Sequence, residues 1–346
     1  MVAASVDIPD YSRLEQIRPV TRLRDWSRLT PEEFAATYAE RPVVFEGLAK
    51  EWPAYRTWSR QFMVEAVGAD TLVEVRRPLA LGGHEQQWAA EIPIGVFARE
   101  VETTPGLYLA EWHAHAHPRL YRDIHPVPDF LNDDWLGAIP HEAFATPRRT
   151  PIYWGAGGSA TDCHFDNSNT VTWNACVMGT KRWLLFSGRP FPEPTWERKR
   201  AAQRLVRSGL ATPANHTTKF SWSGFVTVDG IQRYLTGALR DLPENLQFYW
   251  ADVAAGDLIY VPWRWFHQVH NLTESIAVSR YYVARENYSA YLAHLREVSR
   301  ATTLLTRALI GSPRMRRLLG SAGARRVCAQ GVGKALCSLA LRRAQV

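Results

Sequence analysis

From residue 42 onward, apolar positions come in short runs or alternate with polar ones, and Gly and Pro interrupt them repeatedly. That rhythm predicts strands over residues 42–45, 71–75, 106–110, 151–154, 170–178, 182–186, 257–261 and 275–283. Many short strands separated by turns argue for an antiparallel barrel or jelly roll. Residues from about 12 to 66 mix short helical patterns with turn signals. Thr30-Pro31-Glu32-Glu33 reads as a helix start: Thr caps, Pro fits the first turn, and the acids meet the positive end of the helix dipole. Residues 190–246 break the strand rhythm with a polar, irregular insert that holds a helical patch over 196–206. After Arg285 the period changes again: Tyr288, Tyr291, Leu292, Leu295, Val298 and Leu305 recur at about 3.6 residues, the spacing of one helix face. The expected organisation is an N-terminal helical region 1–41, a barrel over 42–284 carrying the insert, and a helical C-terminal region 285–346.

Composition changes this picture little. With 46% hydrophobic and 22% charged residues, the chain has a globular rather than a disordered balance. No apolar run reaches membrane-spanning length, and the first residues lack a secretory signal pattern, so a cytoplasmic protein is expected. Cys163, Cys176, Cys328 and Cys337 form no CxxC pair and read as free thiols. Charge is more informative. The net charge is +7, but from Arg285 onward twelve Lys and Arg face two Glu, which is +10 and leaves −3 for the rest. The basic character sits in the tail, so it does not argue for nucleic acid at the catalytic cleft.

Two segments carry the chemistry. Thr161-Asp162-Cys163-His164-Phe165-Asp166 holds a His-x-Asp pair just ahead of a predicted strand. Residues i and i+2 of an extended chain point to the same side, so imidazole and carboxylate can share one ion. By itself the pair is weak evidence for a metal: it occurs by chance, and an ordinary surface His and Asp is the plainer reading. Farther on, Gly256-Asp257-Leu258-Ile259-Tyr260-Val261-Pro262 gives a turn, an apolar strand and a stop; Trp263-Arg264-Trp265-Phe266-His267 then places a His among aromatics. Two His and one carboxylate on barrel strands make the facial triad suited to non-haem Fe(II), with three coordination positions left for a co-substrate and O₂. No thiolate, which would favour zinc, belongs to the set. His270 competes with His267. A three-residue step along a strand sends the two to opposite faces, so only one points inward.

These segments, together with Thr172-Trp173-Asn174-Ala175, Gly179-Thr180-Lys181-Arg182-Trp183-Leu184-Leu185-Phe186, Gln268-Val269, Asn271-Leu272 and Ser275-Ile276-Ala277-Val278-Ser279, resemble the jumonji (JmjC)/cupin-like 2-oxoglutarate oxygenases in order and spacing. The resemblance is nearest to the jumonji-domain lysyl hydroxylase subgroup. It implies a mainly β fold, a double-stranded β-helix (jelly-roll/cupin barrel) with flanking N-terminal helices and a helical C-terminal region. It also implies Fe(II) held by His164, Asp166 and His267, 2-oxoglutarate as co-substrate, and O₂. Lys181 then takes the distal carboxylate of oxoglutarate, Asn174 and Thr161 line its pocket, and Tyr108 is the phenol donor. Ser279 stands where a Thr is usual and keeps the hydroxyl.

The activity so implied is oxidative decarboxylation of oxoglutarate coupled to hydroxylation of a C–H bond. A protein or peptide side chain is the first expected substrate, and an amino acid or natural-product intermediate the alternative. No histone-reader module accompanies the barrel, which speaks against chromatin demethylation. A binding protein on the same barrel, or a zinc hydrolase, is a further reading; the complete triad with Lys181 and Asn174 in place speaks against both. The resemblance also implies a homodimer through the C-terminal helices. His113, His115 and His117 read as a polar loop before a second metal site.

Overall fold

The computed structural model describes residues 8–78, 86–88, 91–113, 117–135, 150–194, 197–212, 224–298, 300, 303, 304 and 307. Its first eight strands are β1 (Arg18–Pro19), β2 (Thr21–Leu23), β3 (Val43–Phe45), β4 (Leu72–Val73), β5 (Val75–Pro78), β6 (Gln86–Trp88), β7 (Ile92–Pro93) and β8 (Tyr108–His113). There follow β9 (Pro151–Gly155), β10 (Ala160–His164), β11 (Val171–Met178), β12 (Thr180–Ser187), β13 (Phe248–Ala254), β14 (Leu258–Val261), β15 (Trp265–Asn271) and β16 (Ser275–Tyr282). The helices are α1 (Pro31–Thr37), α2 (Pro53–Thr57), α3 (Arg60–Val67), α4 (Ile94–Glu100), α5 (Pro118–Arg122), α6 (Arg198–Arg207), α7 (Val228–Leu235) and α8 (Tyr288–Val298).

Strands β9 to β16 divide between two sheets and form the expected jelly roll. The small sheet runs β1-β13-β12-β15-β10, and the large one β2-β3-β14-β11-β16-β9-β8-β5-β6. The period of two decides what each face does. On β12, Lys181, Trp183 and Leu185 face the barrel interior, while Arg182, Leu184 and Phe186 face out. On β15, His267 and Val269 point in, and Phe266, Gln268 and His270 point out.

Both outer faces are covered. Phe34, Phe45, Trp52, Phe97, Trp154 and Trp173 join one core between the large sheet and the helices before it. Against the small sheet, Leu184, Phe186, Phe248 and Phe266 pack with Ala201, Leu205, Val226 and Ile231 of the 190–246 stretch and with Tyr11 from the N-terminal segment. Burial of these faces drives the fold, at about 25 cal/mol per Å² of apolar surface. At α1 the predicted start appears as a complete capping box: Thr30 Oγ1 accepts from the Glu33 N–H at 3.1 Å, and Glu33 accepts from the Thr30 N–H at 3.0 Å. Gly179, at φ +79°, turns β11 into β12 where a Cβ would collide with the Glu274 carbonyl.

Several elements depart from the expectations. The 71–75 stretch splits at Glu74 into β4, which pairs with β7, and β5, which joins the large sheet. The strand expected over 106–110 runs over Tyr108–His113. β13 and β10 were not anticipated as strands, and neither was α7. The N-terminal segment also contributes β1 and β2, each pairing in parallel at a sheet edge. α6 and α8 match the two predicted helical patterns; Trp196, Leu305, Cys328, Cys337 and the basic tail beyond residue 307 lie outside the described residues. No helix among the described residues is long and apolar enough to cross a membrane.

Candidate metal and co-substrate site

β10 and β15 pair antiparallel, which sets His164 directly opposite His267. Asp166 follows two residues later in extended conformation (φ −66°, ψ 151°), so its carboxylate returns to the same side. Its Oδ1 lies 4.0 Å from Nε2 of both histidines, and the three ligand atoms fall within 4.8 Å of one another. Among the described residues this is the one such cluster of three metal-ligating side chains.

Each imidazole is oriented in the same way. Nδ1 of His164 lies 2.7 Å from the Asp162 carbonyl, and Nδ1 of His267 lies 3.0 Å from the Trp265 carbonyl. A carbonyl only accepts, so each Nδ1 carries the proton and each Nε2 presents a lone pair to the shared point. Burial holds the pKa of His164 well below the usual imidazole range, with the neighbouring His267 ring adding to the shift. The neutral form that ligates is therefore the resting form. Two imidazoles and one buried carboxylate, with no thiolate, suit a divalent iron-type ion.

Beside the triad, β12 places Lys181 inside the barrel at 1% exposure. Its ammonium donates to Asn271 Oδ1 at 2.7 Å and lies 5.7 Å from the Tyr108 ring centroid. Among the described residues no carboxylate pairs with it. A buried cation without a counter-ion is costly, and an anionic ligand relieves that cost. Across the cleft, Asn174 on β11 sits in register with Ser279 on β16; its Nδ2 donates to Ser279 Oγ at 2.7 Å, and its buried Oδ1 has no hydrogen-bond partner among the described residues. The Tyr108 hydroxyl lies 3.3 Å from Thr161 Oγ1. All five predicted co-substrate residues line one cleft with His164 and His267, enclosing about 490 Å³, part of it open to solvent.

The competing histidines fall elsewhere. His270 is fully buried on the outer face of the small sheet, 5.5 Å from the Phe225 ring. His117 stacks near Trp112 at 4.8 Å between centroids, and neither it nor His113 joins a three-ligand cluster. His115 lies outside the described residues. Cys163 and Cys176 are buried thiols outside any disulfide; burial raises the first strongly and pushes the second up to about 12.

Sequence reasoning overlooked several residues here. Asn271, opposite Lys181 in the β12–β15 register, holds the ammonium and donates to Ser159 Oγ at 2.5 Å. Gly155 makes room for that cage, since a Cβ there would run into Ser159, Asn271 and Tyr108. Tyr153 and Tyr281 join hydroxyls at 2.7 Å on the wall, and burial raises the pKa of both. Arg76 and Glu111 also line the cleft, Glu111 with φ at +60° in a β8 irregularity. Arg198 of α6 reaches the metal-site turn from outside. Burial lowers its pKa, and Asp166, Glu111 and Asp162 pull the other way. Motif spacing signals only Asn271, whose place after an apolar strand is unremarkable without the register.

The profile of the cupin-like domain family matches residues 30–288. The chain belongs to the cupin-like family. Its cupin-like domain is similar to that of the arginine-specific demethylase JMJ22 of Arabidopsis thaliana, 27% identical over 280 residues, covering 80% of this chain and 49% of that protein. Similar too are the lysine-specific demethylase JMJ21 of the same plant (26% over 267 residues, 74% of this chain and 25% of the relative) and the human 2-oxoglutarate and iron-dependent oxygenase JMJD4 (26% over 177 residues, 51% and 36%). The chain spans about half the length, or less, of these relatives.

Proposed function

We propose that this protein is an Fe(II)- and 2-oxoglutarate-dependent oxygenase that hydroxylates a side chain of a protein or peptide. One observation carries the reading: a buried ammonium without a carboxylate partner shares a cleft with a convergent His-Asp-His set. His164, Asp166 and His267 hold the metal; Lys181 binds the distal carboxylate of oxoglutarate; Asn174, Thr161, Tyr108 and Ser279 supply amide and hydroxyl contacts. When bound, iron and oxoglutarate supply the oxidising chemistry, in which O₂ is consumed, oxoglutarate becomes succinate and CO₂, and a C–H bond gains oxygen.

The chain's own residues do the rest. The two Nδ1–carbonyl contacts hold the imidazoles aimed, with each Nε2 toward the shared point. Asn271 keeps Lys181 pointing into the cleft, so the charge-assisted contact fixes the orientation of the co-substrate. Trp183 and Val269 exclude water from the wall between them. Demethylases and an iron- and oxoglutarate-dependent oxygenase among the relatives support the protein-substrate class. A cytoplasmic setting, a dimer through α8 and a barrel spanning 42–284 belong to the same reading. A screen of peptide and metabolite pools for succinate release, with Asp166→Ala alongside, tests it. Peptide-dependent succinate that vanishes in the variant is the expected result; release stimulated only by metabolites contradicts the substrate class, and turnover by Asp166→Ala contradicts the site.

A further inference from the structure

The described residues of the 190–246 insert pack on the outer face of the small sheet, and their polar contacts land on the residues that flank the metal ligands. One residue before His164, the Cys163 N–H donates to the Gly224 carbonyl at 3.1 Å. Between His164 and Asp166, the Phe165 carbonyl accepts from Arg198 Nη1 of α6 at 3.2 Å. Next to His267, Gln268 is fully buried. Its Oε1 accepts from the Val226 N–H at 2.8 Å, and its Nε2 donates to the Val226 carbonyl at 3.0 Å and the Tyr11 hydroxyl at 2.5 Å. The apolar contacts fall on the same points. Phe165 meets Phe266 edge-on with centroids 4.9 Å apart, and both pack in one cluster with Ala201, Leu205 and Val226.

Sheet hydrogen bonding alone leaves this turn loose. The β10–β15 register is irregular between Thr161 and His164, and the ladder ends at His164, before Asp166 is reached. What lies beyond the ladder is tied instead to the insert. We propose that the insert is a clamp that sets the spacing of the three metal ligands, with Arg198 and Gln268 as its positioning residues. The idea rests on the metal site proposed above. Residues behind a ligand act by orienting it, and a site held ready binds its ion more tightly than one that must first be ordered. Arg198 donates to no ligand atom; it acts through the Phe165–Asp166 peptide group, which lies between the two ligands in the chain.

The test is anaerobic titration of the full-length, metal-free chain with Co(II) and with Fe(II), read by absorbance, alongside its melting temperature. Arg198→Met should weaken both metals about ten-fold or more. Arg198→Lys, which keeps a donor, should recover part of that loss. Both metal-free variants should melt within about 3 °C of wild type, because the clamp orients the ligands rather than holding the fold together. Gln268→Leu should weaken metal binding in the same direction. Wild-type affinity in Arg198→Met overturns the clamp, as does a loss of affinity that merely follows a fall in melting temperature. A wild-type chain that binds neither metal overturns the metal site itself, an outcome distinct from failure of the clamp.

Discussion

Lys181 and Arg182 are adjacent cations on one strand, and they face opposite sides of the small sheet. Outside, Arg182 donates to both carboxylate oxygens of Asp252 at 2.8 Å and to the Pro9 carbonyl at 3.2 Å. Inside, Lys181 is more deeply buried, yet its one hydrogen bond among the described residues goes to a neutral amide oxygen. The contrast extends along each face. Outer Gln268 satisfies its amide at both ends, whereas inner Asn174 leaves Oδ1 without a hydrogen-bond partner among the described residues. A fold gains stability by satisfying buried polar groups, so a face that leaves them open is shaped for a ligand that completes them. The outer face holds the barrel together, and the inner face is built to bind.

Substitutions can break that contrast. The largest effect should come from Asp166→Ala, which removes a ligand and should lower succinate release by more than about 100-fold, beyond what loss of a residue behind a ligand costs. Circular dichroism should find the variant folded. Next, Lys181→Met should raise the oxoglutarate concentration for half-saturation by roughly 100-fold, the equivalent of losing one charged hydrogen bond. The same variant should melt no lower than wild type, because a buried charge without a counter-ion has been removed. Arg182→Met should do the reverse: oxoglutarate binding unchanged, and stability lower by about 1–2 kcal/mol in a denaturant titration. If both variants lost stability and kept oxoglutarate affinity, the two faces would not differ as described.

Much of this division was readable from the residues. The His-x-Asp pair, Lys181 at the head of an apolar strand and the capping box at Thr30 are local signals; the structure forms the capping box and gathers His164 and Asp166 with His267 near Lys181. A strand's period of two meant that only one of His267 and His270 could point inward; the resemblance chose His267, and the structure puts His270 on the outer face. What stayed hidden depends on contacts between distant parts of the chain. β13 mixes tyrosine, tryptophan and aspartate on partly buried positions, so its alternation is blurred. Asn271 matters only because register sets it against Lys181. Arg198 lies in a polar stretch that looks like an ordinary solvated helix until its partner, a carbonyl between two proposed ligands, is seen.

A smaller test concerns dryness on both sides of the sheet. Cys163 packs in the outer cluster and Cys176 in the inner one, and burial raises both thiols, Cys176 to about 12. Thiolate is the reactive form, so neither should react with iodoacetamide near neutral pH in the native state, while both should label in denaturant. Mass spectrometry of the two peptides reads the outcome; fast native labelling of either would mean that its layer is open to water.

The most direct measurement is anaerobic titration of oxoglutarate into the Fe(II)-loaded protein, followed by visible absorbance, for wild type and Lys181→Met. Wild type should develop a saturable charge-transfer band, and the variant should need about 100-fold more oxoglutarate to reach it. A wild-type protein that gives no band, or a variant that saturates alongside it, would contradict the pairing of the His-Asp-His set with the buried ammonium.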